Sequence, residues 1–479
     1  MSAPTANWEV VVGLEVHTEL ATRSKLFCGC PNAFGAEPNT NTCPICLGLP
    51  GSLPVLNERA VELAIRIGVA LGSDVRPSIF HRKNYFYPDM PKDYQISQYD
   101  EPINVGGQVT LSDGSVIGIV RAHIEEDTGK TTHVGGTGRI HTADYALVDY
   151  NRAGVPLVEI VSAPDLRGAE QARAYVTELR SILVAIGASD GRMEEGSLRV
   201  DANVSVRRDG DADYGTRCEV KNLNSLRSLV RAIEFEFTRQ VRILEAGGTV
   251  AQETRHFNED DGTTSTLRSK EEAFDYRYFA EPDLVPLEPS EAFITAVRDE
   301  LPLLPAERRR RLGALLGDSA GGESADQLAT VVALGLDDLV ADAIGLGADP
   351  RLALTRAAND AARNPDAARK LDAATYAELI CLESSSALSS TQVKTVLQAM
   401  LEEGGEPKEI AKRLGFEALD SSELDSVIVD VIAAFPDEWA RFVAGEDKVE
   451  SFLTGQVMRL TRGRANGKSV AESFARRRG

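Results

Sequence analysis

Residues 10–20 read Val-Val-Val-Gly-Leu-Glu-Val-His-Thr-Glu-Leu. Side chains of a strand alternate between two faces, so Val10, Val12, Leu14 and Val16 share one face. Gly13, Glu15, His17 and Glu19 share the other. The first face is apolar enough to bury against helices; the second carries two carboxylates and an imidazole. The pattern recurs at Leu198–Arg207, where Leu198, Val200, Ala202, Val204 and Val206 oppose Arg199, Asp201, Asn203, Ser205 and Arg207. Two such strands side by side make a sheet with helices below and a charged floor above. A plain solvated face is the competing reading.

Outward from these strands, Val-rich segments punctuated by Gly, Pro and Asn continue to about residue 285. Helical periodicity interrupts them at Glu58–Leu71, Glu170–Ile186 and Ser225–Ala246. From Pro289 the texture becomes Ala- and Leu-rich and helical, and Gly404-Gly405 punctuates it again. The expected class is α+β: residues 1–288 form a mixed α/β domain, residues 289–404 a helical domain, and residues 405–479 a small helical tail.

The chain has 479 residues, of which 43% are apolar and 26% charged, so wholesale disorder is excluded. No apolar run approaches the roughly 20 residues that span a bilayer, and the N-terminus lacks a basic region followed by an apolar stretch. The expectation is a cytoplasmic protein without a membrane association. A net charge of −21 argues against indiscriminate nucleic-acid coating. Residues 408–479 contain twelve basic and twelve acidic residues, so that charge sits before the tail. Over the last twenty or so residues of the tail, Arg459, Arg462, Arg464, Lys468, Arg476, Arg477 and Arg478 stand against Glu472 alone. They read either as a solvated terminus or as a local patch for phosphates.

Four of the six cysteines fall together, as Cys28-x-Cys30 and Cys43-Pro-Ile-Cys46. Reduced thiols in two close pairs can converge on one tetrahedral ion, and four thiolates suit a structural zinc. Unliganded buried thiols and a catalytic cysteine are the alternatives. Cys218 and Cys381 stand alone and read as core residues.

Further acids lie in His123-Ile-Glu125-Glu126-Asp127 and at Glu159. Crowded carboxylates call for a hard divalent cation, and magnesium commonly bridges carboxylates to phosphates. Arg82, Lys83, Lys92, Lys130, Arg152, Arg199 and Lys221 are the basic residues available to such phosphates. There is no Gly-x-x-x-x-Gly-Lys-Ser/Thr loop, no dinucleotide fingerprint and no Gly-x-Ser-x-Gly elbow. Spacing alone therefore reaches metal-assisted phosphoryl transfer and stops there.

Longer motifs go further. Val12-Gly-Leu-Glu-Val-His-Thr-Glu-Leu is joined by Arg82-Lys-Asn-Tyr-Phe-Tyr-Pro-Asp-Met-Pro-Lys-Asp-Tyr and His123-Ile-Glu-Glu-Asp-Thr-Gly-Lys. Leu147-Val-Asp-Tyr-Asn-Arg-Ala-Gly-Val-Pro-Leu-Val-Glu-Ile-Val, Glu194-Glu-Gly-Ser-Leu-Arg-Val-Asp-Ala-Asn-Val-Ser, Glu219-Val-Lys-Asn-Leu-Asn-Ser, Gln252-Glu-Thr-Arg and Asp275-Tyr-Arg-Tyr-Phe follow in order. This series closely resembles the GatB family, the tRNA-handling subunits of the GatCAB aspartyl/glutamyl-tRNA(Asn/Gln) amidotransferase. The resemblance implies a cradle domain of the glutamine synthetase/guanido kinase type, then helical and YqeY-like tail domains. It implies ATP-dependent phosphorylation of the side-chain carboxylate of Glu-tRNA(Gln) or Asp-tRNA(Asn), followed by amidation with ammonia. The implied partners are the glutaminase and the small strap-like subunit of the same heterotrimer, together with the misacylated tRNA. By the same similarity the magnesium ligands are Glu15, His17, Glu126 and Glu159, with His17 a softer ligand than magnesium prefers. Tyr85, Arg199, Asp201 and Lys221 are implied nucleotide or substrate contacts. A tRNA-binding scaffold without catalysis and a ligase acting on a free amino acid are the alternatives.

Overall fold

The computed structural model describes residues 7–135, 143–269, 276–317, 323–416, 421–446, 448–461, 465 and 467–478. The chain divides into two compact units, residues 1–306 and 307–479.

The first unit is built on a thirteen-stranded mixed sheet. Its main path runs through Thr263–Ser269, Glu253–Asn258, Cys218–Leu223, Leu198–Arg208, Trp8–Glu19, Pro156–Ser162, Val116–Glu126, Tyr94–Ser97, His81–Asn84 and Phe279–Ala280. The strand Trp8–Glu19 is therefore central. It pairs antiparallel with Leu198–Arg208 on one side and Pro156–Ser162 on the other. Val10, Val12, Leu14 and Val16 are buried, as the period of two requires. Beneath them lie Leu63 and Ile67 of α1 (Glu58–Leu71), Tyr175 and Leu179 of α2 (Ala169–Ala185), and Leu229 and Ile233 of α3 (Leu226–Glu245). Each such aliphatic side chain, fully buried, contributes about 1.5–3 kcal/mol. With helices on that face, the opposite face of the sheet is left for polar groups.

Local signals fix the helices. Asn57 caps α1 by accepting from the Arg59 N–H, and Gly72 ends it in the left-handed region at φ 70°. Gly68 lets α1 approach the sheet: a Cβ there would lie 1.9 Å from Asn104 Oδ1.

A fourth helix, Glu291–Asp299, lies in the first unit, because Ile294 and Val297 join its core. The change of texture at Pro289 thus precedes the edge of the unit. In the second unit, helices between Leu312 and Ala411 share one core and those between Ile428 and Phe474 another. Gly404 ends the helix Ser390–Glu403, and Ile410 and Ala411 just beyond remain in the first of these cores. Val470 and Phe474 are fully buried, so Gly467–Arg478 is a packed helix and not a solvated terminus. Arg462 and Arg464 lie outside the described residues, as does Asp275 of the Asp-Tyr-Arg-Tyr-Phe motif. Among the described residues no helix is long and apolar enough to cross a membrane.

Candidate active site

Register on the central strands determines what the floor contains. His17 lies opposite Glu159 on one side and Arg199 on the other; Glu15 lies opposite Asp201. Glu159 in turn opposes His123, and Leu157 opposes Glu125. One strand further out, Asn203 opposes Glu219.

Two triplets of metal-ligating groups result. Ligand atoms of His17, Glu125 and Glu159 lie within 4.8 Å of one another, as do those of Glu15, Asp201 and Glu219. In the first triplet, His17 Nε2 is 3.7 Å from Glu125 Oε1 and 3.9 Å from Glu159 Oε2. Burial and the neighbouring Glu159 push the Glu125 carboxyl up to about 6. His123, fully buried beneath them, is driven down to about 4 by burial, and neither of its ring nitrogens finds a hydrogen-bond partner among the described residues. Its Nε2 is 3.4 Å from Glu159 Oε2.

In the second triplet, the Lys221 ammonium stands between Asp201 and Glu219 at 2.7 Å from each. Burial opposes its charge, but the two carboxylates outweigh that and hold it protonated. Glu15 accepts from Asn203 Nδ2 at 2.9 Å; burial and Glu159 raise its carboxyl.

Glu126 is not brought to either triplet. The alternation that turns His123 and Glu125 to the floor turns Glu126 the opposite way. There Lys92 Nζ donates to its Oε1 at 2.6 Å and also to Oε2, and the Ile96 N–H donates at 3.1 Å. Glu126 and Lys92 form a buried ion pair under the floor, which removes Lys92 from the phosphate-facing set. Arg82 is likewise committed, to Glu281 at 2.6 and 2.8 Å. Lys130 is exposed on a separate two-stranded sheet.

Arg199 donates to Asp127 Oδ2 at 2.8 Å, and Arg152 Nε reaches the same oxygen at 3.4 Å. A cavity of about 680 Å³ lies over this end of the floor, lined by His17, Glu125, Arg199, Asp201, Lys221 and Lys83, with Tyr85, Tyr87 and Tyr276 as a wall. A second, of about 610 Å³, lies over the other end, bordered by Gly13, Glu15, Arg121, Asn203, Tyr214 and Arg217. Tyr85, Arg199, Asp201 and Lys221, expected from the motifs, all line the first cavity. Glu125 and Glu219 lie outside the ligand set that the motifs imply, yet each completes a triplet. Counting by twos from His123, and from Glu219 to Lys221, is the signal that selects them.

The four cysteine sulfurs also converge within 4.8 Å. The Cys43 N–H donates to Cys46 Sγ at 3.2 Å. A hydrogen bond from Cys28 lowers the Cys46 thiol to about 5, and the same bond raises that of Cys28. Buried Lys25 also favours the Cys46 thiolate. The loop carrying these residues is tied to the chain after Asp149: the Asn39 N–H donates to Asp149 Oδ1 at 2.9 Å and the Asn41 N–H to Asn151 Oδ1 at 2.7 Å.

Residues 10–295 match the GatB/GatE catalytic domain, and residues 352–477 match the GatB domain. The second match begins well before residue 405, inside the first helical core, and takes in the whole of the second. The chain is similar to the B subunit of the aspartyl/glutamyl-tRNA(Asn/Gln) amidotransferase of Nocardia farcinica, at 48% identity over 98% of both chains. It is similar to the same subunit of Frankia casuarinae at 48% identity, over 99% of this chain and 96% of the relative. The corresponding protein of Anaeromyxobacter dehalogenans is 47% identical over 99% of both. With its catalytic-domain match covering more than half its length and its relatives aligned almost end to end, the chain belongs to the GatB family of aspartyl/glutamyl-tRNA(Asn/Gln) amidotransferase subunits.

Proposed function

We propose that this chain activates the side-chain carboxylate of glutamate or aspartate esterified to tRNA(Gln) or tRNA(Asn), and that ammonia then converts it to the amide. The observation that carries this reading is the pairing of two acidic triplets on one floor with Lys221, Arg199 and Lys83 around them. In the first step a carboxylate oxygen attacks the γ-phosphorus of ATP and ADP leaves. In the second, ammonia nitrogen attacks the carbonyl carbon, sheds a proton, and phosphate departs with the former carboxylate oxygen. A carboxylate is otherwise a poor acyl donor; the mixed anhydride supplies a good leaving group.

His17, Glu125 and Glu159 would hold one magnesium ion, and Glu15, Asp201 and Glu219 a second; Glu125 takes the role that the motifs gave to Glu126. Crowded carboxylates at His17 and a lysine ammonium drawn in between Asp201 and Glu219 suit a cation at each. Bound magnesium would neutralise the phosphates. Lys221 and Arg199 present positive charge to the transferred phosphoryl group, and Arg152, through Asp127, keeps Arg199 in place. The nucleoside fits the cavity at the Glu15 end, where Tyr214 offers a ring and Arg121 and Arg217 offer donors. A zinc ion fits the four cysteine thiols and would pin their loop against Asp149 and Asn151.

In this reading the sheet with its charged face is a cradle of the glutamine synthetase/guanido kinase type. Ammonia comes from the glutaminase of a heterotrimer, which the small third component holds together. The chain works in the cytoplasm, and the basic helix at its end contacts the tRNA. The test supplies ATP, free ammonia and each misacylated tRNA to the assembled complex and identifies the amino acid then released. Glutamine or asparagine is expected; unchanged glutamate and aspartate would leave only a tRNA-binding scaffold.

A further inference from the structure

The strands His81–Asn84 and Tyr94–Ser97 are joined by a loop that carries Tyr85, Phe86 and Tyr87 in a row. The loop is fastened along its length. The Tyr85 N–H donates to the Asp93 carbonyl at 2.9 Å, the Met90 N–H to Tyr87 at 2.9 Å, and the Asp93 N–H to Met90 at 3.1 Å. The Tyr150 hydroxyl donates to the Pro88 carbonyl at 2.8 Å. This fixed loop nevertheless holds Phe86 78% exposed and Tyr87 42% exposed. The loop thus keeps two aromatic rings open to solvent beside the floor cavity, which Tyr87 lines.

The rings lead inward. Tyr85 and Tyr87 stack with centroids 5.8 Å apart and planes 24° apart. Tyr87 borders both the floor cavity and an outer cavity of about 440 Å³, which Phe86 lines. At the inner end, Lys83 Nζ is 4.9 Å from the centre of the Tyr276 ring.

We infer that this ladder takes the unpaired nucleotides at the 3′ end of the RNA, whose bases stack on Phe86 and Tyr87 and so place the terminal ester over the floor. The inference rests on the proposed reaction, which makes aminoacyl-RNA the substrate. It adds where that RNA is gripped. Every base has a π face, so stacking serves any 3′ sequence and needs no positive charge. That matters for a chain of net charge −21, which gains little from phosphates over most of its surface. A protein partner seated on the same rings would instead close the outer cavity that adjoins the floor.

The test uses the assembled complex and two labelled RNA hairpins, one ending in four unpaired 3′ nucleotides and one blunt. Phe86→Ala should weaken binding of the tailed hairpin about tenfold or more and leave the blunt one unchanged, with the same dependence on salt. Phe86→Trp should keep the affinity, which separates stacking from misfolding. With misacylated tRNA, KM should rise in Phe86→Ala while kcat holds. Equal loss for both hairpins, no loss for the tailed one, or release of a partner protein with RNA binding intact would each overturn the inference. Wild-type amidation together with normal tailed-hairpin binding by Phe86→Ala would defeat only the stacking. Tight tail-dependent binding by a wild-type complex that forms no amide would defeat only the reaction.

Discussion

Glu125 and Glu126 are neighbours in sequence and lie on opposite sides of one strand: Glu125 Oε1 is 3.7 Å from His17 Nε2, whereas Glu126 is held by Lys92 at 2.6 Å. The same chemical group thus serves the floor in one position and the underside in the next, and the two substitutions should fail differently. Glu125→Gln should abolish tRNA-dependent ATP hydrolysis with little change in melting temperature. Glu126→Gln leaves the Lys92 ammonium buried without its carboxylate, at a cost of about 3–5 kcal/mol. It should melt much earlier while retaining turnover per folded molecule. Thermal denaturation beside a hydrolysis assay checks both, and the reverse assignment would restore Glu126 to the metal site.

Magnesium affinity should depend on acidity through Glu125. Its carboxyl sits near 6 without metal, raised by burial and by Glu159, and it must shed its proton to act as a ligand. Affinity is therefore full above that value and falls as pH drops through about 6, approaching tenfold per unit. Titration calorimetry at pH 5 and pH 7.5 measures the difference, and a flat profile would remove Glu125 from the ligand set.

Freshly purified, reduced protein should contain about one zinc per chain by elemental analysis. Cys43→Ser should lower that content and loosen the 149–152 segment, read as faster amide exchange at Asn151 and Arg152. Absence of zinc with an unchanged melting temperature after chelation would return these thiols to ordinary core residues.

The basic helix at the end of the chain calls for charge changes, because deletion would remove Val470 and Phe474 from their core. Arg477 is paired with Asp425 at 3.0 Å and Arg478 stacks on Phe442 at 4.8 Å. Arg476 of this helix and Arg459 of the preceding helix, Lys448–Leu460, are the better choices. Replacing both with Ala should weaken tRNA binding and lower the magnitude of its salt slope by up to two units. Unchanged affinity would show that the tRNA contacts lie elsewhere.

Much of the fold was legible because two long strands obey a strict period of two with one wholly apolar face. Val10–Val16 and Leu198–Val206 could only sit with their polar sides together, and register then set His17 beside Glu159 and Glu15 beside Asp201. Glu125 was harder to read because three acids run consecutively at 125–127, and only the strand's phase decides which of them faces the floor. Lys92 looked like a phosphate ligand for the same reason: its partner is distant in sequence and on the hidden face. Composition set the edge of the first unit too early because the helix Glu291–Asp299, beyond the change of texture, packs against α1, where Ile294 and Val297 join the first unit's core. Gly404-Gly405 resembles a linker, yet burial of Ile410 decides its place within one core.

The most direct measurement follows oxygen. Misacylated tRNA carrying ¹⁸O in the side-chain carboxylate is incubated with ATP, ammonia and the assembled complex, and the released phosphate is analysed by mass. Attack of the carboxylate on the γ-phosphorus predicts one ¹⁸O in inorganic phosphate for each amide formed, and none when Glu159 is replaced by Gln. Amide formed with unlabelled phosphate, or with the label in AMP, would contradict it.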